Sequence, residues 1–89
     1  MVPVISTFFG ILIRMWHDDH PSPHIHVEYQ GFEALVEIET GEVRAGKLPR
    51  KVARIVREWC FEHRQELREN WSKAMAFEPL HRILGADRD

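Results

Sequence analysis

Apolar and polar residues alternate with a period of two in the first half of the chain, which is typical of β-strands. One strand is predicted over residues 8–16, FFGILIRMW, because this segment is rich in aromatic and β-branched side chains. Its alternation places four residues on one face: Phe9, Ile11, Ile13 and Met15. Two prolines and two aspartates then predict a loop over HDDHPSP.

The next segment, residues 24–39, predicts a β-hairpin that turns at Gln30 and Gly31. Apolar residues alternate with polar ones on both arms, so we expect a core face and a polar face. The turn sets the register of the polar face, which pairs Glu28 with Glu33, His26 with Leu35, and His24 with Glu37. A turn over residues 40–42 and a short fourth strand over residues 43–45, VRA, are predicted to follow.

Helical periodicity begins at Pro49, a residue suited to the first turn of a helix. Apolar residues recur at helical spacing to about residue 76, and no Gly or Pro intervenes before Pro79. Such a helix would be about 40 Å long, which exceeds the width of a domain of this size, so it either bends near His63 or projects to meet a partner. The predicted fold is α+β: an antiparallel sheet of three to four strands, with one long C-terminal helix packed on its apolar face.

The composition is that of one globular domain, residues 1–89, whose tail, residues 78–89, we expect to be loosely ordered. Hydrophobic residues make up 44% of the chain and charged residues 29%, which excludes a disordered protein. The formal net charge of −2 gives no global attraction to nucleic acid, so such binding would need a local patch. The single cysteine, Cys60, and an apolar N-terminal run too short to cross a bilayer predict a cytoplasmic protein without membrane contact.

Four of the six histidines lie within residues 16–30, WHDDHPSPHIHVEYQ. In one interpretation, His24 and His26 act as acid and base while Glu37, across the hairpin, orients an imidazole. In another, imidazoles hold a divalent metal such as zinc, since an H-x-H pair on a strand supplies two ligands. The candidate ligands are His17, His20, His24 and His26. The plain alternative is that these histidines are polar residues of a solvent-facing sheet surface.

A basic stripe on the predicted helix is the second candidate site. Its members recur every three or four residues, opposite the apolar face of the helix: Arg50, Arg54, Arg57, Phe61, Arg64 and Arg68. The stripe suits contact with RNA phosphates or with an acidic partner, whereas intrahelical ion pairs such as Arg54–Glu58 would make it an ordinary solvated face. Phe61 favours a partner surface, because an apolar ring gains nothing from facing solvent.

The order of these motifs resembles the bacterial domain-of-unknown-function family numbered 4160. The matching stretches are ISTFFGILIRMW, DDHPSPHIHVEY, FEALVEIETGEVRAGKLPRK and REWCFEHRQELRENW, which cover nearly the whole chain. The positions that carry the resemblance are His20, His24, His26, Glu28 and Tyr29, and then Trp59, His63, Glu66, Leu67, Asn70 and Trp71. This chain has PSPHIH where the family often shows PPHFH, a difference that leaves the histidines intact.

Members of that family are often encoded beside a second small protein, of the domain-of-unknown-function family numbered 2442. The resemblance therefore implies the partner-binding component of a two-gene, toxin–antitoxin-like module. In a toxin-like version the chain acts on RNA, with the histidines as acid and base and the arginines holding phosphates. A histidine-based metal-binding domain and a non-catalytic interaction module are the alternatives, and a homo-oligomer is compatible with each.

Overall fold

The computed structural model describes residues 3–17 and 22–87 and confirms an α+β fold. Within these residues, five strands form one antiparallel sheet in sequence order: β1 (Val4–Phe8), β2 (Ile11–Arg14), β3 (His24–Tyr29), β4 (Phe32–Glu37) and β5 (Val43–Gly46). Two helices follow, α1 (Arg50–Glu62) and α2 (Arg64–Met75). Neither helix is long and apolar enough to cross a membrane.

The prediction of one strand over residues 8–16 was wrong, because this segment contains a turn. The chain reverses at Phe9 and Gly10, whose φ angles are +53° and +77°. Two successive left-handed residues form the tight turn that matches the twist of a hairpin. The reversal adds the strand Val4–Phe8 in front of β2, so the sheet has five strands rather than three to four. Ile11, Ile13 and Met15, which were predicted to share one face, are buried, whereas Phe9 is 57% exposed at the turn.

The second hairpin, β3–β4, has the predicted turn and register. Gln30 and Gly31 have φ angles of +43° and +86°, and the cross-strand pairs on the polar face are those expected from the sequence. β5 pairs with β4 with a shift in register between Leu35 and Val36, which indicates a β-bulge. Both helices cover one face of this sheet, and the core that they enclose includes Ile5, Phe8, Ile13, Ile25, Val27, Val36, Val56, Trp59 and Leu67.

The prediction of one continuous helix was wrong, because the helical segment is broken at His63, the position at which the sequence indicated a bend as one of two alternatives. This residue has φ −115° and ψ 25° and lies between α1 and α2. Hydrogen bonds of helical spacing continue across it: the His63 N–H donates to the carbonyl of Trp59 at 3.0 Å, and the Leu67 N–H donates to that of His63 at 2.9 Å. The break is therefore a bend. A straight helix of about 40 Å would outreach a molecule of 33 × 30 × 24 Å, whereas the bend returns Leu67 to the core.

The C-terminal segment, in its described part up to residue 87, is hydrogen-bonded to β1 and α1. The Ile83 N–H donates to the carbonyl of Ile5 at 2.8 Å, and the Trp59 indole N–H donates to the carbonyl of Leu84 at 2.8 Å. Ile83 is buried. The segment thus occupies the outer edge of β1, one of the two edges of the sheet.

Candidate functional site

His24 begins β3 on the face of the sheet that points away from the core, because the alternating Ile25 and Val27 point into the core. Its side chain is nevertheless only 2% exposed. The ring atom Nδ1 lies 2.8 Å from the carbonyl oxygen of Ser22. A carbonyl oxygen can only accept, so this hydrogen bond requires the proton on Nδ1. The geometry therefore assigns a tautomer to His24.

Glu37 lies directly across the hairpin from His24, as predicted, but its carboxylate is held by other groups. Arg44 Nη1 donates to Glu37 Oε2 at 2.9 Å, and Ser22 Oγ donates to Glu37 Oε1 at 3.1 Å. The other terminal nitrogen of Arg44, Nη2, lies 3.1 Å from His24 Nδ1. When Nδ1 carries the proton both atoms are donors, so this approach is a close contact rather than a hydrogen bond. A cation thus stands between the carboxylate and the imidazole.

Four aromatic rings form a row: those of Trp16, His26, His24 and Trp71. Trp16 stacks on His26 with ring centroids 4.9 Å apart and an interplanar angle of 20°. The His26 and His24 centroids are 5.2 Å apart, and those of His24 and Trp71, on α2, are 5.3 Å apart. Ring contacts at these distances are favourable in their own right. The row, which includes Trp71 of α2, explains why His24 is buried although its side chain points away from the core.

The metal interpretation depends on residues that the structure brings together only in part. No three His, Cys, Asp or Glu side chains are grouped closely enough to hold a metal ion among residues 3–17 and 22–87. His17 is directed elsewhere, since its Nε2 lies 3.0 Å from the carbonyl oxygen of Glu78, in the C-terminal segment. His20 lies outside the described residues.

Beside the aromatic row, the outer face of the sheet forms an open depression of about 430 Å³. Its charged lining is mainly acidic, because Glu28 and Glu33 are cross-strand neighbours and Arg14 binds only the first of them, with Nε 3.0 Å from Oε2. Like charges directly opposite each other are unfavourable unless a cation lies nearby. Arg14 supplies that cation, and the depression as a whole has no excess of positive charge.

Part of the basic stripe forms ion pairs within the molecule. Arg68 on α2 donates two hydrogen bonds to the Glu39 carboxylate, at 2.8 and 2.6 Å. These hydrogen bonds lower the pKa of Glu39 below its usual value of 4.5 and raise the pKa of Arg68. Arg57 on α1 lies 3.5 Å from the Glu42 carboxylate. Both pairs connect a helix to the segment between β4 and β5.

The rest of the stripe faces solvent, apart from Arg64, which is half-buried. Phe61 is 61% exposed, and the guanidinium of Arg64 lies over its ring, 4.6 Å from the centroid. Arg50 and Arg54 are exposed and make no ion pair with any other described residue. They line an open groove of about 340 Å³ between α1 and the start of β5, together with Gly41, Glu42, Val43, Ala53 and Arg57.

Two further reactive groups of the helical segment, the His63 imidazole and the Cys60 thiol, are buried in the core. The His63 ring packs 5.3 Å from that of Trp59, and its Nδ1 lies 2.6 Å from a carboxylate oxygen of Glu66. Burial raises the pKa of the Cys60 thiol to about 12, which keeps it from forming the reactive thiolate at neutral pH.

Ser22 and Arg44 are the polar groups around His24 that the sequence interpretation missed.

The histidine row, the bend at His63 and the basic stripe all lie within a stretch that matches a known family. Residues 10–72, more than half of the chain, match the family described as domain of unknown function (DUF4160). No curated protein and no solved structure gave a significant match to this chain. The chain therefore belongs to the family DUF4160, a family of domains of unknown function.

Proposed function

We propose that this chain is the protein-binding component of a two-gene module, and that it binds a small acidic protein through the exposed part of its basic stripe. The exposed part consists of Arg50, Arg54 and Phe61, and the half-buried Arg64 adjoins it. The observation that carries the proposal is the pair Arg50 and Arg54, two exposed cations on one helix face without an ion pair among the described residues. An unsatisfied basic surface with an exposed aromatic ring is a common composition for a protein interface.

A protein fits this surface better than RNA does. Arg57 and Arg68, which would extend a track for phosphates, are already paired with Glu42 and Glu39. Among the exposed arginines of the stripe, only Arg50 and Arg54 are left without an ion pair to any described residue, and two neighbouring cations suit a local acidic patch better than a phosphate backbone that continues past them.

The histidines support a binding role rather than catalysis on RNA. His24, one of the proposed acid–base pair, is 2% exposed and has Trp71 on one side and His26 on the other. A substrate could reach its ring only after these neighbours move. Packing and hydrogen bonding explain the position of His24 without a reaction.

The partner that the family resemblance implies is the small protein of family 2442 encoded beside members of this family. We expect purified chain to bind that protein, and we expect Arg54→Glu to weaken binding at least tenfold, because a like charge replaces an attractive one. Isothermal titration calorimetry measures the change in Kd. Lys51→Glu is the matched control, because it makes the same change in charge on α1 but at a residue outside the groove. We expect the Kd of this variant for the partner to stay within about twofold of the parent value.

Three results would overturn the proposal. The first is the absence of binding to the co-encoded protein. The second is binding to a single-stranded RNA oligonucleotide with the same dependence on Arg54, which would make RNA the partner. The third is a folded His24→Ala/His26→Ala variant that binds the partner normally yet loses an RNA-cleaving activity of the parent chain.

A further inference from the structure

The two edges of the sheet differ in whether they are covered. The edge of β1 is occupied by the C-terminal segment, through the bond from the Ile83 N–H to the Ile5 carbonyl. In the described part of the chain, no segment pairs with β5 on the side away from β4. All four residues of β5 are exposed. An open edge with unpaired backbone groups is a template for a further strand.

The hydrogen bonds that flank β5 show which backbone groups face the open edge. The Glu37 N–H donates to the Glu42 carbonyl at 2.9 Å, and the Lys47 N–H donates to the Glu33 carbonyl at 3.0 Å. Hydrogen-bonded and non-hydrogen-bonded pairs alternate along an antiparallel ladder. The pairs next to these two, which contain Val43 and Gly46, are therefore non-hydrogen-bonded. The N–H and C=O groups of Val43 therefore point outward and are available to another strand, whereas Gly46, with φ +82°, departs from extended backbone.

The usual protections of an edge strand are weak here. A charged side chain on the edge would discourage pairing, but the charged residue of β5, Arg44, folds back over the sheet to Glu37 and Ser22. The bulge in the β4–β5 pairing does limit the regular edge to a short length. The edge therefore suits one short added segment rather than extended sheet growth.

The groove beside the edge indicates the charge of that segment. Val43 pairs with the core residue Val36, so its side chain lies on the helix side of the sheet, where it lines the groove with Ala53, Arg50 and Arg54. A strand added to β5 would place alternate side chains in this groove. Apolar residues would contact Val43 and Ala53, and carboxylates would reach the two arginines.

Electrostatics at the start of α1 add to this preference. The first turn contains no acidic residue, and no side chain caps it. Negative charge near the N-terminus of a helix is favourable, so carboxylates in the groove would interact with the helix end as well as with Arg50 and Arg54. A second copy of this chain would instead bring the same arginines toward each other, which disfavours self-pairing.

We infer that the partner contributes an extended acidic segment, in which carboxylates alternate with apolar residues, that pairs with β5 as a sixth strand. This inference rests on the proposed function, because the same arginines receive the partner. It adds the binding mode and the chemistry of the segment that is bound.

The test removes one outward-facing donor from the edge. Val43→Pro deletes a backbone N–H that points away from β4 and places proline at the first residue of a strand, where it is tolerated. We expect its Kd for the co-encoded protein to rise about tenfold, the equivalent of one lost hydrogen bond. Val43→Thr keeps the N–H and the β-branched shape, and its Kd should stay within about threefold. Circular dichroism and thermal unfolding check that both variants are folded.

Amide hydrogen exchange gives a second measurement that needs no variant. In the complex, we expect the amide of Val43 to exchange at least about tenfold more slowly, while the amide of Lys47, already bonded to Glu33, changes little. Binding that leaves the Val43 amide unprotected and Val43→Pro unimpaired would overturn strand addition and leave the proposed function standing.

A synthetic peptide separates the two proposals if the co-encoded protein does not bind. The probe is a nine-residue peptide of alternating Val and Glu, and its control replaces each Glu with Lys. Protection of the Val43 amide by the Glu peptide alone would support an acidic strand. Equal protection by both peptides, or by neither, would overturn it, as would a dimer of this chain that Val43→Pro dissociates.

Discussion

Among single residues, His24 shows most clearly how the outer face of the sheet is organised. Its ring contacts those of His26 and Trp71, and its Nδ1 bonds to the Ser22 carbonyl. We expect His24→Ala to lower the free energy of unfolding by about 2 kcal/mol, because it leaves a carbonyl without its donor and removes the ring contacts. Urea unfolding measures this loss. His26→Ala, which removes a more exposed ring, should lose less.

The two variants also distinguish a packing role from a functional one. If His24→Ala unfolds like the parent chain but loses partner binding, His24 belongs to the binding surface and the packing role is wrong. If it loses stability and retains the parent Kd, the histidine row supports the fold.

The neighbours of His24 show which side-chain contacts could be predicted from the sequence and which could not. Alternation and one turn were enough to place Glu37 opposite His24, because a register follows from the turn. They did not identify Arg44, since its position depends on a bulge in the β4–β5 pairing, and no residue type in this segment predicts a bulge. They did not identify Ser22 either, because its contacts depend on the path of the loop before β3.

Among the elements, both errors of the sequence interpretation came from boundaries inside continuous patterns. The turn at Phe9 and Gly10 lacks the Asn-Gly or Asp-Gly that usually indicates such a turn, so the strands on both sides read as one. The helical periodicity also continues unchanged through His63, with Trp59 before it and Leu67 after it both buried. The length of the segment indicated a bend near His63 as one of two alternatives, but no residue type distinguishes a bend there from a straight helix that projects.

The attachment of the C-terminal segment to α2 depends on one side chain. Asn70 is fully buried; its Nδ2 donates to the carbonyl of His81 at 2.9 Å, and its Oδ1 accepts from the His81 N–H at 3.1 Å. We expect Asn70→Ala to cost about 2–3 kcal/mol in the free energy of unfolding, because two backbone groups lose their partner. Urea unfolding measures the loss, and faster exchange of the Ile83 amide would show that the segment has loosened.

Glu69→Ala is the control for this prediction, since Glu69 is the preceding residue of the same helix and is exposed. Its cost should be within about 0.5 kcal/mol. An Asn70→Ala variant as stable as the control would show that the segment is held mainly by other contacts, such as the bond from Trp59 to Leu84.

At the scale of the whole molecule, the segment between β4 and β5 is a junction between the sheet and both helices. Arg57 of α1 pairs with Glu42, and Arg68 of α2 pairs with Glu39. The junction is also tight: a Cβ on Gly41 would lie 2.8 Å from Cγ and 3.1 Å from Cα of Arg57, so only glycine fits. These contacts fix the position of β5 relative to α1. The groove beside the open edge is consequently part of the folded framework.

The pair Arg68–Glu39 makes this junction sensitive to acid. The hydrogen bonds from Arg68 lower the pKa of Glu39 in the folded protein below its usual value of 4.5. The stabilisation is present above the pKa that Glu39 has in the unfolded chain. It is lost as the pH falls through the lower pKa that Glu39 has in the folded protein, because Glu39 of the unfolded chain binds a proton first. We expect the parent chain to lose stability more steeply between about pH 5 and pH 3 than Arg68→Gln, which lacks the pair. Urea unfolding across this range measures the difference, and Arg82→Gln, which removes one exposed arginine elsewhere, should follow the parent curve. Parallel curves for the parent chain and Arg68→Gln would mean that this pair contributes nothing to stability and that the junction is held by its other contacts, the pair Arg57–Glu42 and the packing at Gly41.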